Sequence, residues 1–340
     1  MIFQAIQYRK GIGGCQGNLI YVLEPDAYKT YLKKGVLKHI PDSIFLLLKR
    51  RIKPKIVCNI ERNKDNTLYG YAVGVFITYK DLSKTEYLAQ LINALNSIKT
   101  EETKSLIIER IHTLLLEDIK EIEDRCGLKV LDGRSEIVSH IPYVLKEICR
   151  LRNQLLNEKE ILIISDDTVL TEKLAISIAK ELRFLTVKSN EEVYLEKLER
   201  EVLIETGLSL QSIGKLDRAV QNFDIIINMS SDINLDTYNI KKSAIIIDIS
   251  IGRRLQALNS NRKDLVILTD LLFKNSGILK SNPKIFSFEE KVPSYIYEGI
   301  KTQDNINPVG LRVNNKNYKL KELVDIYYGK KRNSSVFLSK

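Results

Sequence analysis

Three polar clusters in the second half of the chain each follow directly on an apolar run. Their residue types suit the holding of an anionic or hydroxyl-bearing ligand. Ser165-Asp166-Asp167-Thr168 follows Ile161-Leu162-Ile163-Ile164, Lys188-Ser189-Asn190 follows Phe184-Leu185-Thr186-Val187, and Asn228-Met229-Ser230-Ser231 closes the run that begins at Asp224. The hydroxyls of Ser165, Thr168 and Thr171, with the N–H groups of a helix start, can donate to an anion. Asp166 and Asp167 oppose this: a like charge a few ångströms from a phosphate costs on the order of a kcal/mol or more at moderate dielectric. The same two residues suit a helix start, whose dipole favours negative charge. Lys188 is the residue type that accommodates a phosphate on a ribose, or else a plain lysine at a strand end. Ser230 and Ser231 can hold a ribose or an amide, or cap their own turn. Asp248 and Arg253-Arg254 follow a fourth apolar run, and the arginines can bind phosphate or carboxylate or pair with nearby acids.

The elements that must position these groups are legible in the pattern. The runs at Ile161–Ile164, Phe184–Val187, Asp224–Asn228 and Ala244–Asp248 have strand length, and segments of helix length separate them, the first from Leu170 to Leu182. Such alternation predicts a parallel sheet with helices on both faces, a Rossmann-like arrangement whose ligands sit at the carboxyl edge of the strands. A dinucleotide site of this kind uses glycines in its first turn, so that backbone N–H groups approach the pyrophosphate; the turn at Ser165–Thr168 holds none. The candidate cofactor residues are Ser165, Thr168, Lys188, Asn190, Ser230 and Ser231, and Lys188 points to NADP should a dinucleotide bind. No catalytic residue and no metal ligand set stands out.

The first half reads as a second α/β domain. Apolar segments at Ile2–Ile6 and Leu19–Leu23 flank the glycine-rich Gly11–Gly17, which suits a turn between strands. Two short helices are expected over Ala27–Leu48, split near Pro41. Ile56–Glu61 and Leu68–Thr78 form a hairpin around Arg62–Asn66; Gly70, Ala72 and Gly74 alternate with larger residues, so one face admits a close neighbour. Helices are expected at Tyr87–Ile98, Glu101–Leu106 and Asp118–Arg125, with short strands at Thr113–Leu116 and Lys129–Leu131. A helix from Ser135 to about Leu156 then leads on. After the parallel sheet come a strand at Leu265–Thr269, a loop at Lys280–Glu290 with a brief strand at Lys284–Phe288, and helices at Val292–Ile300 and Lys319–Tyr328. The expected division is an N-terminal domain over 1–134, a connecting helix over 135–156, a Rossmann-like domain over 157–292, and C-terminal helices with a basic tail over 293–340.

Composition narrows the classes. The 340 residues carry a formal charge of +10, but the excess is spread along the chain, which weighs against nucleic acid as the partner. The densest cluster, Lys49-Arg50-Arg51-Ile52-Lys53-Pro54-Lys55, is either a surface for an anionic ligand or a solvated helix end. No apolar run approaches the roughly 20 residues of a membrane span, and the first residues lack the pattern of a signal peptide, so a cytoplasmic location is expected. Cys15, Cys58, Cys126 and Cys149 show no C-x-x-C spacing and read as buried, reduced thiols.

The order of elements from about Tyr31 to Tyr328 carries a resemblance. Ile40-Pro41 through Arg51, the strand pair Ile56–Glu61 and Gly70–Thr78, Leu131-Asp132-Gly133-Arg134-Ser135, Asn190–Leu198, Phe223–Ser231 and Ile245–Asp248 follow one another as in the cyanobacterial-type long-chain fatty acyl-ACP reductases. That family is itself related in its second half to shikimate dehydrogenase-like Rossmann domains. The resemblance implies a G-x-x-G-x-x-G turn where this chain has Ser165, Thr168 and Thr171, and a thioester-forming cysteine near Ser276. A serine hydroxyl needs an activating base that a cysteine thiolate does not, and neither His39, His112 nor His140 is its sequence neighbour. The expectation is a diverged, non-catalytic Rossmann-fold protein retained for binding a small-molecule ligand or a protein. The alternative is an NADP-linked oxidoreductase acting on an acyl or other carbonyl substrate.

Overall fold

A computed structural model of the chain describes residues 18–23, 28–29, 32, 41, 54–62, 66–75, 83–109, 111–216, 218–232, 239–253, 255, 262, 264–275, 279–282, 288–301 and 306–329. The segments at Ile2–Ile6 and Gly11–Gly17, the bulk of the two helices expected over Ala27–Leu48, Lys49–Lys53, Arg254, Ser276, the 284–287 stretch and the basic tail lie outside the described residues. In chain order the elements are β1 (Leu19–Leu23), β2 (Lys55–Arg62), β3 (Leu68–Gly74), α1 (Lys84–Ile98), β4 (Ser105–Ile108), α2 (Leu116–Cys126), β5 (Lys129–Val130) and α3 (Arg134–Leu151). There follow β6 (Ile161–Ile164), α4 (Thr168–Ala179), β7 (Leu185–Lys188), α5 (Glu192–Thr206), β8 (Gln211–Ser212), β9 (Ile225–Asn228) and β10 (Ile245–Asp248). The last are β11 (Val266–Lys274), β12 (Leu279–Asn282), β13 (Lys291–Pro293), α6 (Ser294–Ile300), β14 (Gly310–Val313), β15 (Lys316–Tyr318) and α7 (Leu320–Tyr328).

The chain is α/β and divides into two compact units, Met1–Leu106 with Ile278–Ser287, and Ile107–Gly277 with Phe288–Lys340. In the first unit the strands run β12-β2-β3-β1-β4. The hairpin read from the sequence is there, with β2 antiparallel to β3, and β1 runs parallel to β3 on its other side. The small residues of β3 mark real close approaches. A Cβ on Gly70 would stand 2.2 Å from the Leu19 carbonyl oxygen, and one on Gly74 2.0 Å from the Tyr28 ring. The helix α1 begins three residues earlier than its apolar periodicity indicated, because Ser83 and Glu86 form a capping box: the Ser83 hydroxyl accepts the Glu86 N–H at 3.3 Å and the Glu86 carboxylate accepts the Ser83 N–H at 3.2 Å.

In the second unit β8-β7-β6-β9-β10-β11 run parallel, and β14 and β15 add antiparallel strands beyond β11, with β13 also paired to β11. Numbered by appearance, the parallel strands stand in the order 3-2-1-4-5-6 of doubly wound dinucleotide-type folds, with the reversal between β6 and β9. Every residue of β6, β9 and β10 from Ile161, Ile225 and Ile245 onward is buried, as continuous apolar runs predict for a sheet covered on both faces. Leu162, Ile226, Ile246 and Ile267 form one side of this core, with Phe223 and Val220 packed against them. The register aligns Lys188, Ile164, Asn228 and Asp248 in one row across β7, β6, β9 and β10 at their carboxyl ends. The polar clusters are thereby brought to one edge.

Several expectations are corrected. The helix expected at Glu101–Leu106 is a turn followed by β4, whose Leu106, Ile107 and Ile108 are buried. The strand expected at Thr113–Leu116 is instead a 3-10 turn at Ile111–Thr113, with Leu116 already the first residue of α2, where the Asp118 carboxylate accepts the Leu115 N–H at 2.8 Å. The strand begun at Leu265 extends to Lys274, and the loop expected from Lys280 opens with β12. The connecting helix ends at Leu151 rather than near Leu156. Cys58, Cys126 and Cys149 are buried, and burial pushes the Cys58 thiol up to about 12. Among the described residues no helix is long and apolar enough to cross a membrane.

Candidate ligand crevice at the switch point

The turn after β6 is built almost entirely from its own side chains. Ser165 is buried; its hydroxyl accepts the Asp167 N–H at 3.0 Å, and its own N–H donates to the Lys188 carbonyl at 3.0 Å. Asp167 is the N-cap of α4, accepting the Leu170 N–H at 3.0 Å, while its carbonyl accepts the Thr171 hydroxyl at 2.6 Å. Its carboxylate is also paired with Arg134, 3.2 Å away, and Arg134 in turn donates to Asp132 at 2.7 Å. Arg134 is only 13% exposed, so the one guanidinium, shared with Asp132, offsets part of the Asp167 charge in a weakly solvated place. The two aspartates of the turn therefore have different roles. Asp167 belongs to the helix and to Arg134, and Asp166 is exposed and accepts the Ser230 hydroxyl across the strand reversal.

On the β9 and β10 side a buried network fixes the edge. Asn228 donates to Asp248 at 2.9 Å and to the Ser230 carbonyl at 3.2 Å, and the Ser250 hydroxyl donates to Asp248 at 2.7 Å. Asn228 also accepts the Ser230 N–H, and the Ser230 hydroxyl accepts the Asp232 N–H, both at 3.2 Å. Ser231 lies on the other side of this network, donating to the Ile251 carbonyl at 3.0 Å. At the end of β7 the Lys188 ammonium donates to the Ser189 carbonyl at 2.9 Å and to the Asn190 side-chain oxygen at 2.8 Å.

Between these groups lies a crevice of about 480 Å³ lined by Asp166, Lys188, Asn190, Gly214, Leu216 and Ser230, among others. A second cleft of about 620 Å³ shares Lys188, Ser189, Asn190 and Gly214 with it and is bounded by the acids Glu192, Glu196 and Glu199 of α5. The crevice occupies the position where ligands enter open α/β sheets, outside the carboxyl ends of the strands at the reversal of order. Its wall charges oppose one another, Lys188 and Lys215 against Asp166 and Asp232.

A pyrophosphate at this turn would meet a negative charge. The N–H groups of Asp167 and Leu170 already have partners within the chain, and the Asp166 carboxylate stands in the crevice. What remains can hold hydroxyl or amino groups. Asp166 and Asp232 accept hydrogen bonds, Asn190 does both, and Leu216 and Ile164 supply an apolar patch.

No protein-family model matches the sequence, and no curated protein sequence matches it. Among solved structures, L-tryptophan dehydrogenase from Nostoc punctiforme is similar at 12% identity over 76% of this chain and 70% of that one, with a TM-score of 0.32. Quinate dehydrogenase from Corynebacterium glutamicum, solved with NAD, is similar at 11% identity over 68% and 78% of the two chains, with a TM-score of 0.30. Thermococcus litoralis Δ1-pyrroline-2-carboxylate reductase, solved with NADH and L-proline, is similar at 12% identity over 34% of this chain and 36% of that one, with a TM-score of 0.26. At these scores no activity transfers to the present chain.

Of the residues singled out in the sequence, Lys188, Asn190 and Ser230 line one crevice together. Ser165 and Ser231 face inward on backbone partners, and Thr168 opens α4 with its carbonyl accepting the Tyr194 hydroxyl at 2.7 Å. Burial is the main cause that raises the Tyr194 phenol above its ordinary value. The sequence reading missed Arg134, Gly214, Leu216 and Asp232. Arg134 follows the glycine that starts α3, and nothing local in Asp132-Gly133-Arg134 tells that it reaches Asp167. His140, one of the bases considered for Ser276, is buried with its ring nitrogen Nδ1 2.8 Å from the Glu136 carbonyl and its ring edge-on to Phe273.

Proposed function

We propose that the second unit is a diverged dinucleotide-type domain retained to bind a small, hydroxyl-rich ligand of the nucleoside class, without the phosphate cradle that NAD or NADP requires. The observation that carries this reading is the Asp166 carboxylate, hydrogen-bonded by Ser230 and standing in the crevice where a pyrophosphate would lie. A ribose fits there better than a phosphate, because its hydroxyls donate to carboxylates while phosphate oxygens are repelled by them. Descent from proteins like the acyl-ACP reductases, a cytoplasmic location and a non-catalytic role belong to the same proposal.

A second reading, an NADP-linked oxidoreductase acting on a carbonyl substrate, is favoured by one specific observation: Lys188 lies at the end of β7, where a 2′-phosphate would be read, beside a strand order suited to dinucleotides. In that case NADP would be held by Lys188, Asn190 and Ser230 and would supply the hydride. A thermal-shift panel of adenosine, ADP-ribose, NADH and NADPH separates the two. Stabilisation by adenosine alone supports the first reading. Stabilisation by NADPH well beyond NADH and adenosine, abolished by Lys188→Ala, replaces it with the second. The Asp166→Gly, Asp167→Gly double change tests the lineage, since restored dinucleotide binding would expose a remnant site.

A further inference from the structure

The switch-point crevice continues outward past the end of β7. It shares Lys188, Ser189, Asn190 and Gly214 with the second cleft of about 620 Å³, which is lined by α5 on one side and by Ser212–Gly214 on the other. The wall common to both cavities is fixed by hydrogen bonds. The Ile213 N–H donates to the Val187 carbonyl at 3.2 Å, which extends the pairing of β8 with β7. The Lys188 ammonium donates to the Ser189 carbonyl at 2.9 Å and to the Asn190 side-chain oxygen at 2.8 Å. Gly214 lines both cavities, and a Cβ there would meet nothing within 4 Å. Its backbone is not in the left-handed region either, so neither conformation nor packing calls for glycine at this point. What the missing side chain leaves is an open passage from one cavity to the other.

The lining of the second cleft combines apolar surface with hydrogen-bond acceptors. Leu195 from α5 and Ile213 from the facing segment supply the apolar part, and Ile213 also packs against the core beneath the sheet. Glu192, Glu196 and Glu199, four and three residues apart, lie along one face of α5 and supply carboxylates. The Lys197–Glu201 ion pair of that helix, at 3.3 Å, involves none of them. An ionised carboxylate accepts hydrogen bonds and donates none, so this wall selects a group that carries N–H or O–H. A ring edge with bare nitrogens or carbonyls alone has nothing to offer it.

We infer that the second cleft is the base subsite of the crevice and takes a nucleobase that carries an exocyclic amino group. The nucleoside lies across the passage at Gly214, with its ribose at Asp166, its ring against Leu195 and Ile213, and its amino group donating to Glu196 and Glu199. Lys188 has two of its three N–H groups engaged and keeps one for a ribose oxygen or a ring nitrogen at the boundary. Apolar surface for the ring and a few convergent polar groups for its edge are the usual make-up of a small-molecule site. The inference rests on the nucleoside reading of the crevice and adds to it the class of base.

The test is calorimetric titration of the full chain with adenosine and with purine riboside, which lacks only the exocyclic amine. It is repeated on the Glu196→Ala, Glu199→Ala double change and on Gly214→Leu. Alanine keeps α5 helical and the Gly214 position has room, so both variants should melt as the natural chain does. The natural chain is expected to bind adenosine about tenfold more tightly than purine riboside, as hydrogen bonds to charged groups allow. The alanine pair should bind the two nucleosides equally, and Gly214→Leu should bind adenosine about tenfold more weakly because its side chain blocks the passage. The alanine pair decides by itself should Gly214→Leu melt lower. Equal binding of the two nucleosides by the natural chain, an adenosine advantage that survives in the alanine pair, or undiminished adenosine binding by Gly214→Leu would each overturn the base subsite and leave the crevice reading in place. Absence of adenosine binding to the natural chain would overturn both.

Discussion

In the first unit glycine stands where the fold leaves no room for a side chain: Gly70 lies on the Leu19 carbonyl and Gly74 on the Tyr28 ring. In the second unit the turn after β6 is the place where a dinucleotide would demand glycine, and it is filled instead by Ser165, Asp166 and Asp167, each bonded within the protein. The comparison separates two uses of one residue type. Close packing between strands fixes the glycines of β3 whatever the protein binds, whereas a glycine that serves only to admit a pyrophosphate is held by no such packing.

The largest effect that could break this comparison is on folding. Gly74→Ala drives a methyl into an aromatic ring and Gly70→Ala drives one into backbone, so each is expected to cost about 2–3 kcal/mol or more in urea unfolding. Gly214→Ala, which has nothing within 4 Å of its added methyl, is the control and should stay within about 0.5 kcal/mol. Next comes Asp167→Ala, which removes the cap of α4 and one partner of Arg134; a loss of about 1–2 kcal/mol is expected in the same assay. A neutral result would mean that the turn is not held as described.

Asp166→Gly sharpens the comparison on the binding side. It leaves the cap and the Arg134 triad in place while removing a charge from the crevice, so NADPH affinity measured by cofactor fluorescence should rise about tenfold, equivalent to about 1.4 kcal/mol. No gain would mean that something other than that carboxylate keeps dinucleotides out. In this background Lys188→Ala should weaken NADPH more than NADH, by about threefold to tenfold, because only NADPH carries the 2′-phosphate.

The smallest expected effect concerns pH. Burial is the main cause that raises Asp270 above the usual carboxylate range, despite Ser294, Arg312 and Arg253. A raised folded-state value means that the folded protein holds the proton more tightly than the unfolded chain. The group's contribution to stability is therefore greatest below about pH 3.9, the ordinary aspartate value, and declines as pH rises through the raised one. The natural chain should lose stability relative to Asp270→Asn as pH is raised from that point. A gap that widens in the natural chain's favour would contradict the assignment.

The sequence carried the parallel sheet well, because Ile161–Ile164, Ile225–Asn228 and Ile245–Asp248 are buried on both faces and so read as unbroken apolar runs. It misread Glu101–Leu106, where charged residues at helical density precede a short strand that only tertiary pairing selects. That Lys188, Asn190 and Ser230 lie at one edge was legible because a polar residue just after an apolar run falls at the carboxyl end of its strand. What could not be read was the division of labour between Asp166 and Asp167. It depends on Arg134, a residue at the start of α3, and on Ser230 from beyond β9, and no local pattern connects any of these positions.

In the proposed function the switch-point crevice accepts a nucleoside-type ligand and rejects a dinucleotide because Asp166 occupies the phosphate position. Calorimetric titration of the natural chain with adenosine and with NADPH under the same buffer tests it most directly. Saturable binding of adenosine is expected, with NADPH at least tenfold weaker; NADPH binding more tightly than adenosine would overturn the proposal.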